Sequence, residues 1–353
     1  MTNSAIPAAN RAAAVRPLLA AITDRCPIAC GHCGLAEKNS ADFPAPQVIL
    51  RRLEGALRYG FNHLVFTGGE PFADLDLLRQ ALQCCQRGRV TAGVFTNAFW
   101  AESEAQARRV LDSLPGLSHL WVSVDRHHLN YVPLQKVRWA IEAARSCHLQ
   151  DVCLVVSAGT VQERLDMKDL LRQHGLGERV FFNPIIPAPF MPSTVDLESW
   201  KIGGLGPESP LGPCRINTPL VFLDGTLAMC HIGKTFSAAG DHGAPYRLGN
   251  VDAEGWEILM ARALANPLYL FLSRHGPWGL LELLAPSPSR ERLAAAEVTC
   301  ACHLCICLLA DREFRDEVLT VLNSPGWRAL LEISRYLPRE GARPQTDLGA
   351  CPG

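Results

Sequence analysis

The sequence predicts an α/β fold: a parallel sheet alternating with helices, followed by a smaller cysteine-rich unit with a β-hairpin and closing helices. Three observations carry this. Six short apolar runs alternate with stretches of helical spacing between Pro17 and Asn183, which predicts βα units and a parallel sheet. The stretch Lys201 to Pro213 is dense in Gly and Pro and reads as a linker. Cysteines crowd into two groups, one after the first apolar run and one between Cys300 and Cys307.

Taken in order, residues 1–16 read as a loose arm. Pro17 to Thr23 is a short continuous apolar run ended by a polar turn, hence a buried strand. Pro46 to Tyr59 places Val48, Ile49, Leu50, Leu53, Ala56 and Leu57 at helical spacing, with Gly60 as a stop. His63 to Thr67 is the second strand. Asp74 to Arg87 is a helix with Leu75, Leu77, Leu78, Ala81 and Leu82 inward, and Val90 to Thr96 a strand. Ser103 to Leu114 is a helix with Ser103 as its N-cap. Strand, helix, strand, helix and strand follow at His119–Val124, Pro133–Cys147, Val152–Ser157, Gln162–His174 and Arg179–Asn183. Each crossover is expected to be right-handed, so the units curl one way. Periodicity alone supports a partial barrel and an open doubly wound sheet equally. In both, ligands bind at the carboxyl ends of the strands.

Beyond the linker, Leu220–Leu223 and Thr226–Cys230 flank Asp224-Gly225, a strong hairpin signal. Gly255–Asn266, Gly279–Leu284, Arg312–Leu322 and Trp327–Tyr336 read as helices, Cys300–Cys307 as a cysteine knot, and residues 338–353 as a frayed tail.

Composition narrows the functional classes. Of 353 residues 48% are hydrophobic and 20% charged, which suits a globular chain of one large domain with an appendage. A net charge of −1 gives no basic surplus for nucleic acid or acidic lipid. The opening residues lack the uninterrupted apolar core of a secretion signal. Pro267–Pro286, the most hydrophobic long segment, is broken by Ser273, Arg274, His275 and Glu282, so no membrane span is expected. A cytoplasmic protein is the expectation, and its 14 cysteines then serve metal or chemistry rather than disulfides. Cys84, Cys85, Cys147 and Cys153 read as small core or helix residues, and Cys351 is left over.

The first cysteine group lies in Thr23-Asp24-Arg25-Cys26-Pro27-Ile28-Ala29-Cys30-Gly31-His32-Cys33. Three thiolates on one tight loop suit an iron–sulfur cube with one iron uncovered, because a [4Fe–4S] cluster normally takes four cysteines. Zinc sites usually show CxxC pairs. A second stretch, Thr67-Gly68-Gly69-Glu70-Pro71, follows the apolar run Asn62–Phe66. With both motifs present, in this order, the chain resembles a radical S-adenosylmethionine (radical SAM) enzyme. That family's loop reads C-x3-C-x-aromatic-C, with His32 in the aromatic place here. Its second motif reads Gly-Gly-Glu-Pro.

The resemblance implies that the six strands close into a partial (βα)6 barrel over residues 1–200, with the linker at 201–213. It implies that Cys26, Cys30 and Cys33 ligate a [4Fe–4S] cluster whose open iron is chelated by S-adenosylmethionine. An electron from a flavodoxin or ferredoxin would cleave that molecule to methionine and a 5′-deoxyadenosyl radical, which removes a hydrogen atom from substrate. Gly68, Gly69, Glu70 and Pro71 would hold the methionine part, with Glu70 opposite its ammonium. Asn97, Ser123 and Asp125, at the ends of the third and fourth strands, would meet the ribose. Each of these three is equally readable as a turn residue. Ser157 and Asn183 hold weaker versions of the same position. The polar run Asp125–Tyr131 could line a substrate cavity or be a solvated loop.

A second metal site is expected over residues 214–310, with helices and tail over 311–353. Cys214-x10-Gly225-x4-Cys230 resembles the opening of the SPASM and twitch auxiliary domains of radical SAM enzymes. Cys302 and Cys305 would complete a four-cysteine site for a second [4Fe–4S] cluster, with Cys300 and Cys307 as alternates. A zinc knot of the same thiolates is the plain alternative.

Three functions compete. The leading one is radical modification of a ribosomally made peptide, such as a crosslink or epimerisation. Against it, no extra N-terminal domain for a leader peptide is evident. Oxidation or rearrangement of a small molecule such as an aminocyclitol or sugar is the alternative. A non-catalytic iron–sulfur carrier is third, and the Gly-Gly-Glu-Pro motif argues against it.

Overall fold

The computed structural model describes residues 16–33, 43–147, 149–177, 179–185, 218–230, 245–284, 287–288 and 301–334. The expected arm, linker and tail lie outside these residues, as do Cys214, Cys300 and Cys351.

The first six strands are β1 (Pro17–Thr23), β2 (His63–Gly68), β3 (Thr91–Thr96), β4 (Leu117–Ser123), β5 (Asp151–Ala158) and β6 (Val180–Pro184). The helices between them are α1 (Pro46–Tyr59), α2 (Leu75–Gly88), α3 (Glu104–Asp112), α4 (Arg126–Leu129), α5 (Leu134–Ser146) and α6 (Val161–Gln173). All six strands pair in parallel, each beside its sequence neighbour. That order answers what periodicity left open. A doubly wound sheet reverses its strand order at a switch point. This one does not, and right-handed crossovers then put every helix on one face, as in a barrel wall.

Two sets of buried side chains follow from strand alternation. Phe66, Val94 and Leu120 are register neighbours on β2, β3 and β4, and all are fully buried in the main core. Burying each such side chain is worth about 1.5–3 kcal/mol. The other face carries its own small cluster of Val65, Trp121, Cys153 and Val155, with Leu19 and Phe95 packed on it. Trp121 stacks on Phe95 with ring centroids 5.1 Å apart. Helix starts are fixed by side-chain caps. Asp74 accepts from Leu77 N–H, Ser103 from Gln106 N–H and Thr160 from Glu163 N–H.

The hairpin forms as expected, from β7 (Leu220–Val221) and β8 (Thr226–Ala228). Its placement differs from the expectation of a separate unit. β7 pairs in parallel with β1, Leu19 opposite Leu220, so the hairpin continues the barrel sheet. β9 (Arg247–Asn250) adds a further strand at that edge. Arg52, buried on α1, fixes this edge through the Leu223 carbonyl and a fork onto Asp252, with Nε 3.0 Å from both carboxylate oxygens. A planar guanidinium suits such a two-point contact.

The remaining helices are α7 (Val251–Glu254), α8 (Trp256–Ala265), α9 (Pro267–Leu283), α10 (Ala301–Ala310), α11 (Arg312–Leu322) and α12 (Pro325–Ser334). α9 starts earlier than the sequence suggests and bends at Gly276, ahead of Pro277. The expected cysteine knot is a helix over Ala301–Ala310, with Leu304, Leu308 and Leu309 buried at helical spacing. No helix among the described residues is long and apolar enough to cross a membrane.

Candidate active site at the carboxyl ends of the strands

The two sequence motifs meet at the carboxyl ends of β1 and β2. Gly69 N–H donates to the Thr23 carbonyl at 2.6 Å, and Glu70 N–H to the Arg25 carbonyl at 2.7 Å. Gly68 has φ +128°, a conformation that L side chains rarely adopt. A Cβ there would lie 2.1 Å from the Thr23 carbonyl oxygen, and one on Gly69 would lie 2.3 Å from that of Arg25. The glycines therefore let the Gly-Gly-Glu turn press against the backbone that opens the cysteine loop.

Glu70 is 1% exposed. Its Oε1 accepts from Phe72 N–H at 3.1 Å and from the Thr96 hydroxyl at 2.9 Å, and its Oε2 accepts from Asn97 N–H at 2.6 Å. Burial raises its pKa to about 7, against the pull of those three donors. Pro71 is buried beside it and opens a 3-10 turn over Pro71–Ala73.

Cys26, Cys30 and Cys33 are in no disulfide among the described residues and are all partly exposed. Cys33 N–H donates to the Cys30 carbonyl at 3.1 Å, which tightens the loop. Asn97, at the end of β3, donates from its side-chain amide to Cys26 Sγ at 3.8 Å. Its Oδ1 accepts from Phe99 N–H at 2.9 Å.

Asp125 closes β4 and caps α4 from full burial. Its Oδ1 accepts from the backbone N–H of His127 at 2.9 Å and of His128 at 3.1 Å. Its Oδ2 accepts from Ser157 N–H at 3.3 Å and lies 2.8 Å from His128 Nδ1. Burial pushes the Asp125 pKa up, but the bond and charge of His128 outweigh it and hold the carboxyl at about 2. For His128, burial pulls the pKa down, yet Asp125 and Cys30 raise it to about 10. Ser123 stands partly buried at the end of β4, and Asn183 lies opposite Ser157 across β5 and β6.

The structure thus gathers Gly68, Gly69, Glu70, Pro71, Asn97 and the cysteine loop around one junction. Asp125 sits on the same rim with its oxygens turned to its own helix. The polar run after β4 proves to be built structure. Tyr131 donates its hydroxyl to the Ala29 carbonyl at 2.8 Å, and the rings of His127 and His128 lie 4.6 and 5.3 Å from that of His32. His32, Asp125 and His128 each place one nitrogen or oxygen within 4.8 Å of the others.

The Radical SAM superfamily profile matches residues 21–187, which span this junction and the parallel strands. Residues 21–187 carry a radical SAM domain. Among proteins it is similar to, the PqqA peptide cyclase of Methylorubrum populi is 33% identical over 116 residues, 30% of this chain and 27% of that protein. YydG of Bacillus subtilis (strain 168), whose name connects it with peptide biosynthesis, is 23% identical over 137 residues, 38% of this chain and 43% of that protein. The matched parts therefore span less than half of either relative. A solved structure of native anSMEcpe with bound AdoMet and Cp18Cys peptide shares the fold at TM-score 0.53 and 12% identity, covering 90% of this chain and 99% of that one.

The second cysteine group is partly visible. Cys230, at the end of the hairpin, is 7% exposed, as is Cys305 on α10. Tyr246 links their surroundings. Its carbonyl accepts from Met229 N–H at 3.0 Å, and its hydroxyl lies 3.3 Å from Cys305 Sγ. Tyr269, whose hydroxyl donates to the Pro245 carbonyl at 2.7 Å, has its pKa raised by burial and then by the neighbouring Cys230. Cys302 stands one helical turn before Cys305 and is partly exposed. Cys307, two residues past Cys305, falls on the opposite side of that helix.

Proposed function

We propose that this chain is a radical SAM enzyme that modifies a peptide. Cys26, Cys30 and Cys33 fit a [4Fe–4S] cluster: they are three partly exposed thiols on one loop, with an amide donor aimed at Cys26 Sγ. When bound, that cluster with S-adenosylmethionine supplies one-electron chemistry and a 5′-deoxyadenosyl radical. The chain's own residues orient and exclude water.

The observation that carries the reading is the pair of backbone bonds from Gly69 to Thr23 and from Glu70 to Arg25, which fixes the turn against the loop. A carboxylate has about four acceptor sites. Glu70 uses three, and the one left on Oε2 suits the ammonium of S-adenosylmethionine. Pro71 and the glycines hold that carboxylate in place. Asn97 is a positioning residue that bridges Glu70 and Cys26. Ser123 would meet the ribose, and Asp125 would act through His127 and His128. Cys230, Cys302 and Cys305, with Cys214 outside the described residues, would hold a second cluster.

A peptide substrate is supported by the names of the curated relatives, a peptide cyclase and a peptide biosynthesis protein. The test is anaerobic reconstitution with iron, sulfide, a reductant and S-adenosylmethionine, together with co-expression of any short open reading frame beside the gene. Expected are 5′-deoxyadenosine and a mass change in the co-expressed peptide. Protein that takes up iron but releases no 5′-deoxyadenosine overturns the radical reading. Release of 5′-deoxyadenosine with turnover only of a small sugar or cyclitol overturns the peptide reading.

A further inference from the structure

One helix of the barrel carries the segments that lead to the second cysteine group. Ile49, Arg52, Leu53 and Ala56 form the buried stripe of α1, so a guanidinium stands where helical spacing calls for an apolar side chain. Its partners lie 171 and 200 residues further along the chain. Nη1 donates to the Leu223 carbonyl, Nε lies 3.0 Å from both Asp252 carboxylate oxygens, and Nη2 donates to Asp252 Oδ2 at 2.5 Å. Leu223 opens the turn that runs through β8 to Cys230. Asp252 follows β9, whose far end adjoins Tyr246, the neighbour of Cys305. The two segments are also tied to each other: Asn250 Nδ2 donates to the Asp224 carbonyl and Val251 N–H to the Gly225 carbonyl, both at 2.8 Å. Three residues beyond Arg52, Gly55 admits Trp256, the first residue of α8. A Cβ on Gly55 would lie 2.7 Å from the indole Nε1. Trp256 is buried and meets Phe61 edge-on, with ring centroids 5.5 Å apart.

We infer that α1 is the seat on which the C-terminal cysteine unit docks, with Arg52 and Gly55 as positioning residues that hold the second metal site against the barrel. What is held rests on the proposed second cluster; the seat itself is built from protein contacts alone. The direct pairing of the hairpin with the barrel is short, Leu19 with Leu220 and Ala20 with Val221. Two residue pairs leave the angle of the hairpin weakly fixed, and the helix contacts supply the rest. A buried guanidinium needs its donors met, and here they are met by both incoming segments at once. Its planar fork also fixes direction, which a lysine ammonium would not. Glycine inside a helix is unfavourable against alanine, and at Gly55 it leaves the notch that Trp256 fills. α1 joins β1 to β2, the strands that end in the cysteine loop and the Gly-Gly-Glu-Pro turn. The same helix therefore relates the second cysteine group to the first. No step of the reaction is assigned to Arg52 or Gly55.

The seat is tested by melting curves of the reconstituted full-length chain in two backgrounds. Gly55→Ala should lower the melting temperature of the parent, because the new Cβ meets the indole. In Trp256→Leu, which removes that ring, the same substitution should raise it, as alanine does in an open helix. A rise in the parent overturns the seat, and so does the same sign in both backgrounds. The positioning role is tested by the rate at which a chelator removes iron. With Cys26, Cys30 and Cys33 all alanine, the remaining iron belongs to the second site. Arg52→Met in that background should release it about tenfold faster, the effect of one lost charge-assisted hydrogen bond on a local opening. Asp252→Asn, at the more exposed partner, should act in the same direction and carries the test if Arg52→Met does not fold. With Cys230→Ala, where the remaining iron belongs to the first site, neither substitution should change the rate. Arg51→Gln, on the exposed side of α1, should change neither site. Unchanged release from the second site overturns the inference. Equal acceleration at both sites overturns it too, because general loss of stability then explains the effect. A triple-alanine chain that binds no iron overturns the second cluster itself, a different result, and the seat is then decided by the melting curves.

Discussion

Asn97 bonds to Glu70 with its backbone and to Cys26 with its side chain: N–H to Oε2 at 2.6 Å, and Nδ2 to Sγ at 3.8 Å. One residue at the end of β3 thereby ties the Gly-Gly-Glu-Pro turn of β2 to the cysteine loop of β1. The two motifs are also joined directly, through Gly69 and Glu70 N–H. Their spacing in the sequence is a consequence of two adjacent parallel strands that must end at the same level.

The close fit of that junction makes Gly69→Ala a sharp test. The new Cβ would meet the Arg25 and Asp24 carbonyls at 2.3 and 2.7 Å, both backbone atoms with little room to give. Overpacking of this kind costs about 1–3 kcal/mol or more. At Gly31, within the same loop, an added Cβ would meet nothing within 4 Å. Gly69→Ala should lower the melting temperature and the iron retained after reconstitution, and Gly31→Ala should change the first by little. Equal behaviour of the two variants would show that the junction does not hold the loop.

Glu70 gives the fold a pH dependence. Burial raises its pKa from an ordinary 4.5 to about 7. Between these values the native state holds a proton that the unfolded state has released. Its contribution is therefore fully present below pH 4.5 and is lost as pH rises toward 7, on the order of 3 kcal/mol. Denaturant titrations of the iron-free protein should show stability falling across that window. Glu70→Gln should flatten the fall, because the amide does not ionise. A slope that survives in Glu70→Gln would assign the effect to another group.

Much of this site was legible in the sequence because its parts are local. Short apolar runs marked every strand of the barrel, and Asp74 and Ser103 marked helix starts by their capping chemistry. The Gly68-Gly69-Glu70 turn was legible as a motif, although its glycines prove to face the Thr23–Arg25 backbone. What was not legible depends on long-range placement or on elements too short for periodicity. Nothing local tells that Leu220 pairs with Leu19. The four-residue helix Arg126–Leu129 has no apolar repeat, so its histidines read equally as a solvated loop. At Cys300–Cys307 the cysteines masked a helix that Leu304, Leu308 and Leu309 could have shown.

The first cluster should be countable. Two four-iron clusters predict about eight irons in the anaerobic protein. Cys26→Ala, Cys30→Ala and Cys33→Ala together should leave about four. A triple variant that keeps the full complement would remove the loop from the site.

The second cysteine group distinguishes an auxiliary cluster from a structural zinc, which would hold the same region together but carry no colour or redox activity. Cys230 and Cys305 are both buried, and Tyr246 bonds to Cys305 and to Met229, the residue before Cys230. If they ligate an iron–sulfur cluster, Cys230→Ala should lose iron and visible absorbance while the first cluster still cleaves S-adenosylmethionine. 5′-Deoxyadenosine would then appear without finished product. Losing a metal can also unfold the region that bound it, so circular dichroism must accompany the assay. A folded Cys230→Ala protein that keeps all its iron, or loses only zinc, would overturn the auxiliary cluster. The ligand set is tested separately. Cys302 and Cys305 are one turn apart on α10, whereas Cys307 points to the other side, so Cys302→Ala should lose the cluster and Cys307→Ala should keep it. Loss in Cys307→Ala or Cys300→Ala, with retention in Cys302→Ala, would keep the cluster and reassign its ligands.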